Sequence, residues 1–237
     1  MSGFEVEPRP SARAGYTFPR RRAHNLYLVI WRPRRYPESM DFAEAAGLDP
    51  GPERTAALVA WFQSGFEDRS LTPILVGGGA VELFTGGAYT TGDLDFVGEL
   101  NEAAKDLLEE AGFRKTGRHW KHEGAQIFIE FPGRSLEPGV ETVELDAFAN
   151  VVLVISPEDA LVDRLAAWKF WKSEAHGINA YLLYLATESR LDRPRLENRA
   201  RAEHVTDALL ELTRFAESTG GAQPTELELR EWARRDR

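Results

Sequence analysis

The stretch "ILVGGGAVELFTGGAYTTGDLDFVG", residues 74–98, constrains the fold of this 237-residue chain more than any other. An apolar run stops at three consecutive glycines. Helical texture follows, and a glycine pair (Gly86, Gly87) breaks it before two closely spaced aspartates. Strand, tight turn, short helix, return loop and second strand is the simplest way to fold this pattern. Side chains alternate along a strand, so Asp93 and Asp95 share one face, about 7 Å apart, while Leu94 and Phe96 point to the other. Two such carboxylates repel each other unless a cation or solvent intervenes. Hard divalent ions take oxygen pairs of this kind, usually together with substrate phosphates. Gly77, Gly78 and Gly79 have no Cβ, so their N–H groups can approach a phosphate at the start of a helix. A Walker loop is excluded because no Lys-Ser/Thr follows, and a dinucleotide fingerprint wants Gly or Ala where Glu82 stands. Taken singly, each signal also has a plain reading: a strand–helix turn without ligand, and two acids at a solvent-facing strand end.

The rest of the chain falls into zones. Residues 1–48 form a basic arm, partly irregular, in which "NLYLVIW" reads as a short strand. Residues 49–155 read as an α/β (α+β) core and residues 156–237 as a helical region. In the core, "DPGPERTAALVAWFQSGF" has Pro and Glu early and then Ala57, Leu58, Trp61 and Phe62 at helical spacing. "NEAAKDLLEEAGF" starts at Asn101 as N-cap and ends at Gly112 as C-cap. Four strand-like pieces, around "RKTGRHWKHEG", "AQIFIEFPG", "VETVELDAF" and "NVVLVIS", extend a mixed sheet. At Ser156 the pattern switches to "SPEDALVDRLAAWKFWK", with a Ser cap, Pro at the first helical position and acids in the first turn. Helical texture continues to about Ser218, and a polar tail ends in "ELREWARRDR". Along the helix after Ser156, Leu161, Leu165, Trp168 and Trp171 make a core-facing stripe.

A third carboxylate is available. In "QIFIEFPG", Ile127, Ile129 and Phe131 face the core, while Gln126, Phe128 and Glu130 share the opposite face. Glu144 and Asp146 in "VELDAF" are rivals for the role. His119, His122, His176 and His204 lack metal-ligand spacing and read as structural or surface residues.

Val-Gly-Gly, 13 residues between Gly79 and Asp93, then Asp93-Leu94-Asp95-Phe96 resembles the signature of the DNA polymerase β-like nucleotidyltransferase superfamily. With "IEFPG" and "ISPEDALVDRLAAWKFW", the chain looks like a small prokaryotic nucleotidyltransferase-like family of unassigned function, related to AbiEii-type toxins. The match covers roughly residues 72–190. That family often has Tyr-His-Trp-Asn-Asp after Leu-Ala-Ala, where this chain has Trp168-Lys169-Phe170-Trp171-Lys172. The resemblance implies a small mixed-sheet core with flanking helices and a C-terminal helical region. It implies Asp93, Asp95 and Glu130 as catalytic and metal-holding carboxylates, with Mg²⁺ or Mn²⁺ as cofactor. It also implies phosphate contacts from Gly77, Gly78, Gly79, Thr90, Thr91, Arg164 and Lys172. The expected reaction moves a nucleoside monophosphate from an NTP donor to a hydroxyl on an RNA or tRNA end, a protein or a small molecule. A place as the toxin of a toxin–antitoxin pair, with an antitoxin partner, belongs to the same expectation. The alternatives are a DxD-type glycosyltransferase and a non-catalytic nucleotide-binding module of the same fold.

Composition limits the rest. The chain has no cysteine, which excludes disulfides, thiolate metal sites and cysteine nucleophiles. No apolar run approaches the roughly 18 residues of a membrane span, and none near the start could serve as a signal-peptide core. A cytoplasmic protein with no membrane partner is expected. Net charge is −9, but residues 1–35 hold eight arginines against two glutamates, a local +6, so the remainder carries −15. A basic arm on an acidic body mildly favours RNA as partner while arguing against a broad nucleic-acid surface.

Overall fold

The computed structural model describes residues 40–148, 150–220 and 224–234. The arginines of the basic arm and the strand expected in "NLYLVIW" lie outside the described residues. Within them, Asp41 caps a short helix, α1 (Phe42–Ala46), through a capping box with Glu44. Helix α2 (Pro52–Ser64) follows with Pro at its start, as the sequence predicts, and everything from Thr55 to Gln63 is buried. Such a helix needs partners on several sides, and it packs on α1, on the helix that begins at Gly77 and on the sheet.

The two strands of the opening motif are β1 (Ile74–Val76) and β2 (Asp93–Val97), joined by α3 (Gly77–Thr85). The helix starts directly at the glycines, so these form its first turn rather than a loop before it. Gly86, in the left-handed region at φ 61°, ends it and returns its N–H to Glu82 and Leu83 carbonyls. Helix α4 (Glu102–Glu110) is capped by the Asn101 side chain; Gly112 follows the last turn at φ 90°. A hairpin, β3 (Arg114–Thr116) and β4 (His119–His122), leads to β5 (Ile127–Gly133), β6 (Thr142–Ala147) and β7 (Asn150–Ile155).

These strands make one seven-stranded mixed sheet in the order β3-β4-β5-β2-β1-β7-β6. β1 runs antiparallel to β2 and parallel to β7, and β2 runs parallel to β5. Because β1 is so short, its ladder with β7 is completed by a side chain. The Gln63 amide donates to the Pro73 carbonyl (2.8 Å) and the Leu153 carbonyl (2.9 Å) and accepts from the Leu153 N–H (2.7 Å). Both its N–H groups and one acceptor site of its oxygen are thereby used inside the protein, which makes its burial tolerable.

After Ser156 come α5 (Pro157–Phe170), α6 (Glu174–Thr187), α7 (Arg193–Ala202) and α8 (Thr206–Ser218). The junction is locked by Asp159, whose side chain is 1% exposed. It accepts from Ser156 Oγ (2.7 Å), Glu141 N (3.0 Å) and Arg199 Nε (2.7 Å), and pairs with Arg195 as well. A buried carboxylate is stable only when so fully satisfied. α5 and α6 both pack on α3, and one hydrophobic cluster runs from Met40 to Ala233 across the residue-155 boundary.

The polar tail expected at the end is a correction. Residues Glu226–Ala233 form a further helix, α9, capped by Thr225. Trp232 is 1% exposed, stacks on Phe215 at 4.7 Å and meets Trp168 at 4.4 Å with the rings tilted by 49°. The Trp168 indole N–H in turn donates to the Ala233 carbonyl (2.8 Å). Leu229, Trp232 and Ala233 make an apolar face little more than one turn long, too short a period to be seen in a sequence otherwise charged. Trp232→Ala is expected to cost about 3–5 kcal/mol in urea unfolding; a change under about 0.5 kcal/mol would restore the view of this segment as a mere tail.

Candidate active site

The parallel register of β2 and β5 sets Asp95 directly opposite Glu130, and Asp93 opposite Phe128. On its other side Asp95 pairs with Val76, the last residue before α3. Three carboxylates and a helix start therefore meet at one place on the sheet. Leu94 and Phe96 are buried on the opposite face, with Ile127 and Ile129. The alternation expected from sequence holds in both strands, although Gln126 lies in the turn before β5 rather than in it.

Asp95 is bound into the start of α3. No side chain caps that helix at Val76. Instead the Asp95 carboxylate accepts the Gly78 N–H, a negative group at the positive helix end. Gly77 sits at φ 64°, and a Cβ there would collide with Asp95 Oδ2. The two missing side-chain volumes beside it have different uses. A Cβ on Gly78 would press against Thr91 Oγ1 (3.2 Å) and Tyr89 OH (3.3 Å), so the return loop closes over the first turn. A Cβ on Gly79 would meet Leu75 and Leu94, so that glycine serves helix–strand packing.

The return loop is tied down from both ends. Thr91 Oγ1 accepts the Asp93 N–H (3.2 Å), and the Thr91 N–H reaches Glu82 Oε2 (3.4 Å). Glu82, 0% exposed, also accepts from Thr55 Oγ1 (2.8 Å), and its Oε1 has no hydrogen-bond partner. Burial pushes this carboxyl above its usual range. Thr90 is exposed in the same loop.

Burial also raises the Asp95 carboxyl above its usual range, with repulsion from Glu130 and then Asp93 adding to it; Arg164 and the Gly78 N–H oppose the shift. Arg164, on α5, has its side chain mostly buried and is paired with its neighbour Asp163. The helical region thus sets a cation within electrostatic reach of Asp95. Glu130 holds Arg118 Nε at 2.9 Å and His119 Nδ1 at 3.3 Å. His119 stands opposite Glu130 in the β4–β5 ladder, a neighbour that the strand pairing supplies and histidine spacing alone did not. Of the other histidines, His122 packs between Phe42 and Phe113, and His176 is held below its usual range by burial and then by Arg164. Lys172 lies just past the end of α5, at φ 51°, and is exposed. Glu144 and Asp146 lie on β6, at the far end of the sheet, and Glu144 is paired with Arg69.

The donor set is hard oxygen with surplus negative charge, the chemistry a Mg²⁺-type ion selects. Among the described residues no group of three or more acidic or histidine side chains is gathered into an ion cage. An ion on Asp93 and Asp95 would therefore take further oxygens from water or from phosphate, which is how Mg²⁺ is usually held.

Comparison with known proteins agrees with this architecture. No protein-family profile matches the sequence, and no curated protein matches it. Among solved structures, an antigenic nucleotidyltransferase-like protein from Paracoccidioides brasiliensis superposes with a TM-score of 0.53 at 16% identity, covering 71% of this chain and 91% of that one. No helix of the described residues is long and apolar enough to cross a membrane.

Two outcomes follow from the Asp95 environment. Gly77→Ala is expected to displace the Asp95 carboxylate and destabilise the protein, because the new Cβ requires both that space and a left-handed backbone. Asp95→Asn is expected to do the reverse without divalent ions, raising Tm by about 2–4 °C at pH 7. The sign follows from the raised native pKa. The folded state binds more protons than the unfolded one between the ordinary aspartate range and the raised value, so stability falls as pH climbs through that window and stays lower above it. Thermal melts of both proteins in EDTA from pH 4 to 8 should converge at the acid end. A gap that is widest at pH 4 would refute the assignment. The nucleotidyltransferase-like fold is where the sequence, the sheet register and the structural comparison meet.

Proposed function

We propose that the protein is a metal-dependent nucleotidyltransferase, moving a nucleoside monophosphate from an NTP to an acceptor hydroxyl. The supporting observation is the meeting of Asp93, Asp95 and Glu130 beside the glycine start of α3, on a nucleotidyltransferase-like fold. In this reading Asp93 and Asp95 hold Mg²⁺ or Mn²⁺, and Glu130 completes the set. When bound, the ion supplies charge neutralisation at the phosphates and a more acidic acceptor hydroxyl.

The chain's own groups have distinct tasks. The Gly77 N–H, with the α3 dipole behind it, orients the phosphates of the donor, while the Gly78 N–H expected there as well is held by the Asp95 carboxylate. Gly79 keeps the helix close to β1 and β2. Thr90 and Thr91 offer hydroxyl groups from the loop above. Arg164 and Lys172 attract the triphosphate from the helical side, and Arg164 offsets the charge that accumulates as pyrophosphate leaves. Glu130, braced by Arg118 and His119, accepts the proton of the acceptor hydroxyl. The hydroxyl oxygen then bonds to the α-phosphorus, and the bond from that phosphorus to the pyrophosphate oxygen breaks.

The acceptor is an RNA or tRNA end, a protein or a small molecule, and the Arg-rich arm favours RNA. Kinship to AbiEii-type toxins would make the chain the toxin of a cytoplasmic toxin–antitoxin pair, with an antitoxin as partner. The fold likeness favours nucleotidyl over glycosyl transfer.

Incubation with each α-labelled NTP, Mg²⁺ and mixed cellular RNA and protein tests the reading, since the labelled fraction identifies donor and acceptor together. Asp93→Asn and Asp95→Asn should each lower transfer by at least about a hundredfold, beyond what loss of a mere supporting residue costs, while both proteins remain folded. Full Mg²⁺-dependent transfer by Asp95→Asn would end the proposal, and label carried only by sugar nucleotides would move the protein to the glycosyltransferases.

A further inference from the structure

Four of the five tryptophans among the described residues are buried; Trp171 is 76% exposed. The sequence stripe Leu161, Leu165, Trp168 and Trp171 therefore ends one residue early. Leu161, Leu165 and Trp168 face the core, and Trp171 does not. The reason lies in the chain reversal after α5. Trp171 closes the helix with its N–H on the Ala167 carbonyl, Lys172 takes a left-handed φ of 51°, and the chain turns into α6. Gly177 on α6 admits Trp168, since a Cβ there would lie 2.6 Å from its indole nitrogen. The same close crossing sets His176 beside Trp171, rings 6.2 Å apart and nearly perpendicular (87°). His176 is itself held by Ser173 Oγ (2.7 Å).

The position of this indole is informative. Trp171 lies seven residues after Arg164, two helical turns along the same face, a displacement of about 10.5 Å. Arg164 acts electrostatically on both Asp95 and His176. Arg164 is thus within electrostatic reach of Asp95 on one side and His176 on the other, and His176 packs against Trp171 beyond the end of α5. A nucleotide has the same order of features: phosphates, then sugar, then a flat base with two π-faces. An exposed tryptophan left in water gains little, whereas one that stacks on a base gains on the scale of a strong aromatic contact.

We propose that Trp171, braced by His176, is the stacking platform for the base of the donor nucleoside triphosphate whose phosphates lie at Arg164 and the start of α3. This rests on the nucleotidyltransferase reading. Stacking is tolerant of base identity because every base has a π-face, so Trp171 contributes affinity with only a modest preference for the larger purines.

Calorimetric titration of the full chain with Mg²⁺·ATP, Mg²⁺·CTP and Mg²⁺·tripolyphosphate tests this, for the wild type, Trp171→Ala and Trp171→Phe. Trp171→Ala should weaken ATP binding at least about fivefold, CTP less, and tripolyphosphate not at all. Trp171→Phe should recover part of the loss. An exposed side chain can be removed without unfolding, so the melting temperatures should match. Unchanged ATP affinity in Trp171→Ala overturns the platform and leaves the nucleotidyltransferase reading standing. Equal losses for ATP and tripolyphosphate overturn it too, since the effect would then lie at the phosphates. Loss of affinity for an oligoribonucleotide alone assigns the indole to an acceptor and overturns it likewise. A wild type that binds no nucleotide removes both readings together.

Discussion

The contact between the Asp95 carboxylate and the first turn of α3 is the constraint on which the site depends. It requires glycine at position 77, because the carboxylate occupies the volume of a side chain there. It requires β1 and β2 to be antiparallel neighbours, so that Asp95 falls beside Val76. It also requires β5 on the other side of β2 in a register that puts Glu130 opposite. The helix gains a negative partner at an uncapped end. The carboxylates gain a fixed geometry at the expense of burial and then of mutual repulsion, which together raise the Asp95 pKa.

The sheet and the helical region are coupled through the same place. α5 carries Arg164 to the carboxylates, and α5 is itself anchored by Asp159 at one end and by Trp168 at the other. Both anchors are buried and fully engaged with groups far away in sequence: Arg199 on α7 and Ala233 at the end of α9. A helix that brings a cation within reach of the half-buried Asp95 offsets its charge without neutralising it, since an arginine stays protonated at any physiological pH. Glu130 is balanced differently, by an exposed arginine and a histidine on the neighbouring hairpin. The two halves of the acid cluster thus face different cations, one buried and held by the helical region, the other at the surface.

Much of this was legible in residues 74–98. Glycines after an apolar run, a helix stopped by Gly86 and alternating Asp-Leu-Asp-Phe each report a local backbone state, and local states are what sequence periodicity encodes. Glu130 was legible for the same reason, from the alternation in "QIFIEF". His119 was not, because strand pairing brought it to Glu130 and two histidines three apart carry no trace of that. Glu82 looked like a mere mismatch to a dinucleotide motif, yet it is buried and holds the Thr91 loop. α9 was missed because Leu229, Trp232 and Ala233 span little more than one turn among arginines and glutamates, and the burial of Trp232 depends on Phe215, Tyr181 and Trp168.

The sequence by itself determined the strand–helix–strand unit, the shared face of Asp93 and Asp95, the caps at Asn101 and Ser156 and the switch to helices after residue 155. These follow from dihedral preferences and from periods of two and 3.6 residues, which act over one or two turns of chain. Only the tertiary structure decided that Glu130 rather than Glu144 stands beside Asp95, that Arg164 faces the acids and that Trp171 is left in water. Each of those depends on sheet order or on how two helices cross. Such outcomes are set by packing and charge between segments remote in sequence, where no local pattern reaches.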